Sequence, residues 1–177
     1  MPASSFHSGS EWEKVGRDGR NPPTTPVFRG AAKVTLDDKG RVVLPARFRE
    51  RYIDRSGGQL VVTVDRTEAC LALYPLVDWE PVQAQLMALP TLNEEARQLQ
   101  RLMVGHATDL ALDGHGRILL TQELREFAGL QRQAMLLGQG NRCELWDETR
   151  WLERRDSWFK EKPDPTARLA QLETLAL

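Results

Sequence analysis

The chain has 177 residues, 41% hydrophobic and 28% charged, enough for one domain or two small ones with a sizeable core. Its 24 Lys+Arg and 25 Asp+Glu leave a net charge of -1, which excludes a protein that coats nucleic acid through bulk positive charge and leaves local patches to decide. Apolar runs of a few residues exclude a membrane-spanning helix, and two cysteines, Cys70 and Cys143, without CxxC spacing or paired histidines, speak against a disulfide framework or a zinc site.

Residues 1–26, rich in Ser, Gly, Pro and Thr, read as a disordered leader, and folded structure is expected from Val27 or Phe28. A β-run, AKVTL, leads to a turn at DDKG, where Gly40 supplies positive φ, and then to a second run, RVVL. A short helix follows from Pro45, with Phe48 and Tyr52 on its apolar face and Gly57 at its end. The runs LVVTV and CLALY read as strands. Two helices are expected next, one with Val82, Leu86 and Leu89 on one face and broken by Pro90, the other capped by Asn93. The strand–turn–strand pattern then returns as TDLAL, DGHG with Gly116, and RILL. Thr121 is placed to cap a helix that ends at Gly129, before strands MLLG and CELW. A last helix, ETRWLERRDSWFKEK, stops at Pro163, and the tail after it is either a docking helix or a frayed end.

The pattern is a duplication. Leu36 to Tyr52, LDDKGRVVLPARFRERY, recurs 76 residues later as LDGHGRILLTQELREFA, Leu112 to Ala128. After a small slip LVVTV matches AMLLG, and ACLALYPLVDW matches RCELWDETRW with the cysteines at equivalent places. Tyr74, Trp79, Trp146 and Trp151, near the ends of the copies, read as packing anchors. A copy of about 45 residues is marginal alone, so the two should pack on each other.

These strings, with the doubled Asp-x-x-x-Arg at Asp37–Arg41 and Asp113–Arg117, resemble the MraZ family of bacterial transcription regulators from Val27 to Trp151. The resemblance implies an α+β fold: duplicated SpoVT/AbrB-like swapped-hairpin β modules forming a pseudo-symmetric barrel, with added helices. It divides the chain into a leader (1–26), a first module (31–78), a helical connector (79–106), a second module (107–150) and a C-terminal helix and tail (151–177). It further implies a homo-oligomeric ring on repeated promoter DNA, cytoplasmic and nucleoid-associated, repressing its own division and cell-wall gene cluster. The family begins with Met before Phe-Arg-Gly, whereas Val27 stands there here. The leader is then either a start-site artefact, a GTG codon read as internal valine, or a real extension.

Duplex DNA demands clustered cations. Phe28 to Arg55 carries eight against four acids, net +4, while Val104 to Arg132 carries three against four, net -1. The first copy is therefore expected to hold DNA and the second to be chiefly architectural. Arg41 is the leading candidate, because it opens a β-run after a glycine turn and arginine grips a guanine edge or a phosphate. Lys39 at the turn tip, Arg29 and Arg117 complete the DNA-binding set. The competing reading of Arg41, and equally of Arg117, is an ion pair with Asp37 or Asp113 that pins the turn. Asp37, Gly40, Asp113 and Gly116 are assigned to forming and orienting the turns. Among Arg47, Arg49 and Arg51 at least one should be a solvated face.

No catalytic motif is evident: GxSxG, a Walker loop and HExxH are missing, and His106 and His115 have no metal partners in view. The reading is of a protein without enzymatic activity, cofactor, metal, small-molecule ligand or membrane contact. Its alternatives are an antitoxin-like DNA-binding protein of the same fold, or a ring-forming protein scaffold.

Overall fold

A computed structural model of the chain describes residues 27–160. The expected leader and the tail beyond Lys160 lie outside the described residues. The first copy forms β1 (Phe28–Thr35), β2 (Arg41–Val43), α1 (Ala46–Ser56), β3 (Gln59–Val64) and β4 (Leu71–Pro75). α2 (Leu76–Met87) and α3 (Glu94–Met103) connect it to the second copy. There β5 (Thr108–Ala111), β6 (Arg117–Leu119), α4 (Gln122–Phe127), β7 (Gln133–Gly140) and β8 (Cys143–Asp147) repeat the order, and α5 (Glu148–Lys160) follows.

Local chemistry sets these bounds. Pro45 sits one residue ahead of α1, at its N-cap, and α1 ends at Gly57, whose φ of 63° puts it in the left-handed region. Thr121 caps α4 by accepting from Leu124 N at 3.3 Å, and Asn93 caps α3 by accepting from Ala96 N at 3.0 Å. α2 begins at Leu76, earlier than expected, and closes at Ala88, short of Pro90. β1 begins at Phe28, ahead of the expected module boundary at residue 31, because Phe28 is itself core and packs against Tyr52 with tilted rings, centroids 4.7 Å apart.

The copies interlock. The six-stranded antiparallel sheet has the order β1-β7-β8-β4-β3-β5, and β2 pairs with β6 in a separate ribbon. Strands β1 and β2 of the first copy thus pair with the second, and β5 of the second pairs with β3 of the first. Exchanging the copies reverses the order and leaves it unchanged, so a pseudo-twofold passes between β4 and β8 and through the Val42–Ile118 pair of the ribbon. One core serves both halves: Val42, Leu44, Phe48, Tyr52 and Leu60 pack with Ile118, Leu120, Leu124, Leu136 and Leu145. Burying that shared apolar surface is what makes two short copies stable together. The hydrogen-bonded sheet is open, with β1 and β5 at its edges among the described residues, so strand pairing alone does not close the expected barrel.

The pairing also corrects the alignment of the second halves. Thr35 faces Gln133 and Ala111 faces Gln59, which fixes an offset of 74 for β3 and β7. Leu60 faces Pro75 and Ala134 faces Asp147, which fixes an offset of 72 for β4 and β8. Cys143 is therefore the counterpart of Leu71, and Cys70 that of Arg142; the cysteines are not equivalent. Cys143 lies in the shared core, whereas Cys70 packs with Leu137 and Trp146. The same offset aligns Tyr74 with Trp146 and Trp79 with Trp151, and the ring contact within each copy is repeated, Tyr74 on Trp79 at 5.4 Å and Trp146 on Trp151 at 5.6 Å. These aromatics are packing anchors, as expected.

Candidate nucleic-acid interface

Two turns, one per copy, hold the doubled motif in matching geometry. Asp37 Oδ1 accepts from the backbone N–H of Lys39 at 3.0 Å and of Arg41 at 2.9 Å, and Oδ2 accepts from Arg41 Nε at 2.6 Å. Asp113 Oδ1 accepts from His115 N at 2.8 Å and Arg117 N at 2.9 Å, and Oδ2 from Arg117 Nε at 2.7 Å. Gly40 N donates to Asp37 O and Gly116 N to Asp113 O, both at 2.9 Å, closing four-residue turns. An aspartate opening a turn bonds the backbone two residues on, and a glycine takes the φ of 80° or 71° that a side chain resists. The Arg41 N–H is the main reason the Asp37 carboxyl sits below its ordinary pKa; exposure lost on folding opposes it, and the Arg41 guanidinium assists. The same causes, led by the Arg117 N–H, hold Asp113 at about 2.

The ion-pair reading is thus realised in both copies, yet it does not exclude contact with a ligand. Each pair uses Nε, and no hydrogen bond from the terminal nitrogens of Arg41 or Arg117 is seen among the described residues. The side chains keep 34% and 29% of their exposure. The aspartate aims the arginine, and the free edge of the guanidinium can meet two acceptors.

The ribbon ties the turns together. Leu44 N donates to Gly116 O, and Leu120 N to Gly40 O, both at 3.0 Å. Arg41 faces Leu119 and Val43 faces Arg117, while Val42 and Ile118 point into the core. Arg41 and Arg117 therefore lie on one outer face, diagonal across the ribbon, with Cα atoms on the order of 8 Å apart. Val43 and Leu119, each about half exposed, share that face.

The helices after the ribbon strands reach across the copies. A Cβ on Gly40 would lie 2.7 Å from Arg125 Nε, and one on Gly116 would press on the Arg49 side chain, 2.6 Å from Nη1. Arg49 and Arg125 are counterparts at the offset of 76, each beside the turn of the other copy. Charge counted by segment is consequently not charge by place. Lys39, Arg41 and Arg125 surround the first turn against Asp37 and Asp38; Arg117 and Arg49 surround the second against Asp113. The expected contrast between a basic and a neutral copy does not carry over to the turns, because Arg49, counted in the first copy, stands at the second turn, and Arg125 at the first.

The MraZ family model, described as "MraZ protein, putative antitoxin-like", matches residues 27–102 and 103–169. The chain belongs to the MraZ family. It is 49% identical over 151 residues to the transcriptional regulator MraZ of Thioalkalivibrio sulfidiphilus, covering 85% of this chain and all of that protein. To its namesake in Halorhodospira halophila it is 45% identical over 152 residues, again 85% of this chain and all of that one. To that of Pseudomonas putida it is 53% identical over 125 residues, 71% and 83% of the two chains.

For a MraZ-family chain the remaining sequence candidates are placed less evenly. Lys39 is exposed at the tip of the first turn, beside Arg41. Arg29 is exposed but faces Gln139 at the far end of β1, roughly 25 Å along the strand from Asp37, so the fold does not bring it to the turns. Arg47 donates from Nη2 to Ala31 O and lies over the Phe48 ring at 4.9 Å; Arg51 is a solvated face. Arg142, over the Tyr74 ring and near Glu144, belongs to a separate internal cluster. Among the described residues no group of three or more His, Cys, Asp and Glu is placed to hold a metal ion, and no helix is long and apolar enough to cross a membrane. Sequence reasoning missed Arg125. Its signal was available in the equal spacing of Arg41–Arg49 and Arg117–Arg125, but only strand exchange gives that spacing its meaning.

Proposed function

We propose that the chain is a sequence-specific DNA-binding transcriptional regulator built from two SpoVT/AbrB-like swapped-hairpin modules. The observation that carries this reading is the pair of arginines, Arg41 and Arg117, pinned through Nε on one exposed face by Asp37 and Asp113. An arginine fixed in this way, with its terminal nitrogens unspent, suits a guanine edge in the major groove or a phosphate. Lys39 adds a phosphate contact at the first turn, and Arg29 contributes only where DNA or a neighbouring subunit extends along β1. Gly40 and Gly116 set the turns that present them.

A chain with net charge -1 and a few cations per turn binds duplex DNA weakly by itself. Assembly into a ring that offers several such faces to repeated sites would raise the effective concentration of each contact. This is the physical ground for reading it as an oligomer on promoter repeats. Repression of its own division and cell-wall gene cluster is the regulatory form that fits, in the cytoplasm at the nucleoid.

The test is a gel-shift titration with a duplex from the DNA upstream of the chain's own coding sequence, at rising salt. Arg41→Ala and Arg117→Ala should each weaken binding by about tenfold or more, at unchanged assembly size. Wild-type affinity in both variants refutes the contact assignment. Equal competition by shuffled DNA refutes sequence-specific recognition and favours the scaffold reading.

A further inference from the structure

We propose that Arg125 and Arg49 are positioning residues that each serve the other copy's turn, so that the two turns behave as one coupled unit. The consequence for DNA rests on the function proposed above; the geometry does not.

The observations converge at Gly40 and Gly116. Each glycine has positive φ and, where a Cβ would stand, the guanidinium end or stem of the opposite copy's arginine. Arg125 Nε is buried there without a hydrogen-bond partner among the described residues. A buried N–H in that condition is costly and calls for a reason. Packing compensates for it: the side chain fills the hollow over the glycine and closes the turn's inner side.

Both arginines stand on firm ground. α4 is fixed by buried Leu124 and the Thr121 cap, α1 by buried Phe48 and Tyr52. α4 follows β6 directly and α1 follows β2. The chain of contacts therefore runs from the second turn through β6 and α4 to Arg125 at the first turn, then through β2 and α1 to Arg49 at the second. A shift of one turn on its ligand is passed to the other through packed elements rather than through solvent. A lysine in place of either arginine keeps the charge but loses the planar group that lies against the glycine.

The full-length protein is tested by hydrogen exchange without DNA and by binding to the upstream duplex. Arg125→Ala and Arg125→Lys should both speed amide exchange about tenfold across residues 36–43 and, through the relay, about two- to threefold across 112–119, and keep the melting temperature within about 2 °C. Arg49→Ala should do the reverse, acting most on 112–119 and by the smaller factor on 36–43, and a response confined to one turn in both variants overturns the coupling. Both Arg125 variants should also bind the duplex several-fold more weakly, while Arg101→Ala, which removes an exposed cation from α3, should change neither readout. Unchanged exchange at 36–43 in Arg125→Ala overturns the proposal, even if DNA binding falls, because the arginine would then be a direct contact. Full rescue of binding by Arg125→Lys also overturns it. If exchange responds as stated but the wild-type protein ignores the duplex, the DNA reading fails and the positioning role stands.

Discussion

Three glycines, two of them at the second turn, separate backbone strain from steric contact. Gly114 lies inside the turn, without positive φ and with no heavy atom within 4 Å of a Cβ. Gly57, past the end of α1, has φ 63° and the same open space. Gly116 has φ 71°, and a Cβ there would meet Arg49. Forcing alanine into the left-handed region costs about 1–2 kcal/mol. Expelling the Arg49 side chain from its seat adds about 1 kcal/mol of lost packing, the scale of several buried methylene contacts. Gly57→Ala should then lose about 1–2 kcal/mol and Gly116→Ala about 2–3, while Gly114→Ala stays within about 0.5. For a chain of this length 1 kcal/mol shifts the melting temperature by roughly 2–4 °C. Thermal unfolding followed by circular dichroism should accordingly rank the proteins as wild type and Gly114→Ala, then Gly57→Ala, then Gly116→Ala. If Gly116→Ala melts no lower than Gly57→Ala, the Arg49 contact has no energetic content. If Gly114→Ala falls as far as either, the account of the turn is wrong.

Other outcomes follow from the same geometry. A carboxyl whose folded pKa is depressed contributes stability that is complete above its unfolded value and is lost as pH falls through the folded one. For Asp113 that interval runs from the ordinary 3.8 down to about 2, so an NMR titration should place its midpoint near the lower figure, and Asp113→Asn should abolish this acid dependence of the second turn. Burial pushes the Cys143 thiol up to about 12 and the Cys70 thiol higher still, so a thiol reagent at pH 8 should modify neither in the native protein and both in denaturant. Ile118→Ala removes a fully buried side chain at the ribbon's centre and should destabilise by about 2–5 kcal/mol, measured by urea titration.

The turns were readable because their chemistry is local. An aspartate, a glycine three residues on and an arginine after it make most of their bonds among themselves, and the caps at Asn93 and Thr121 are just as short in range. The copies' mutual packing was readable from the length of each. The register of the second halves was not, because matching one cysteine to the other is attractive in a string but carries no pairing information. The loop between β3 and β4, Asp65 to Cys70, is longer than the tight connection of β7 to β8, and only cross-strand partners show where the extra residues fall. The charge of the turns was misjudged for a related reason. A tally by segment assumes that neighbours in sequence are neighbours in space, and Arg49 and Arg125 break that assumption.

The exchange of leading strands also has a price in time. β1 finds its partner, β7, only after about 100 further residues have been made, so a nascent first half leaves the ribosome with an unmatched edge and a half-built core. Until the second half arrives, the nearest complementary surface belongs to another nascent molecule. Rapid synthesis from crowded messages would thus favour entangled pairs over self-contained chains.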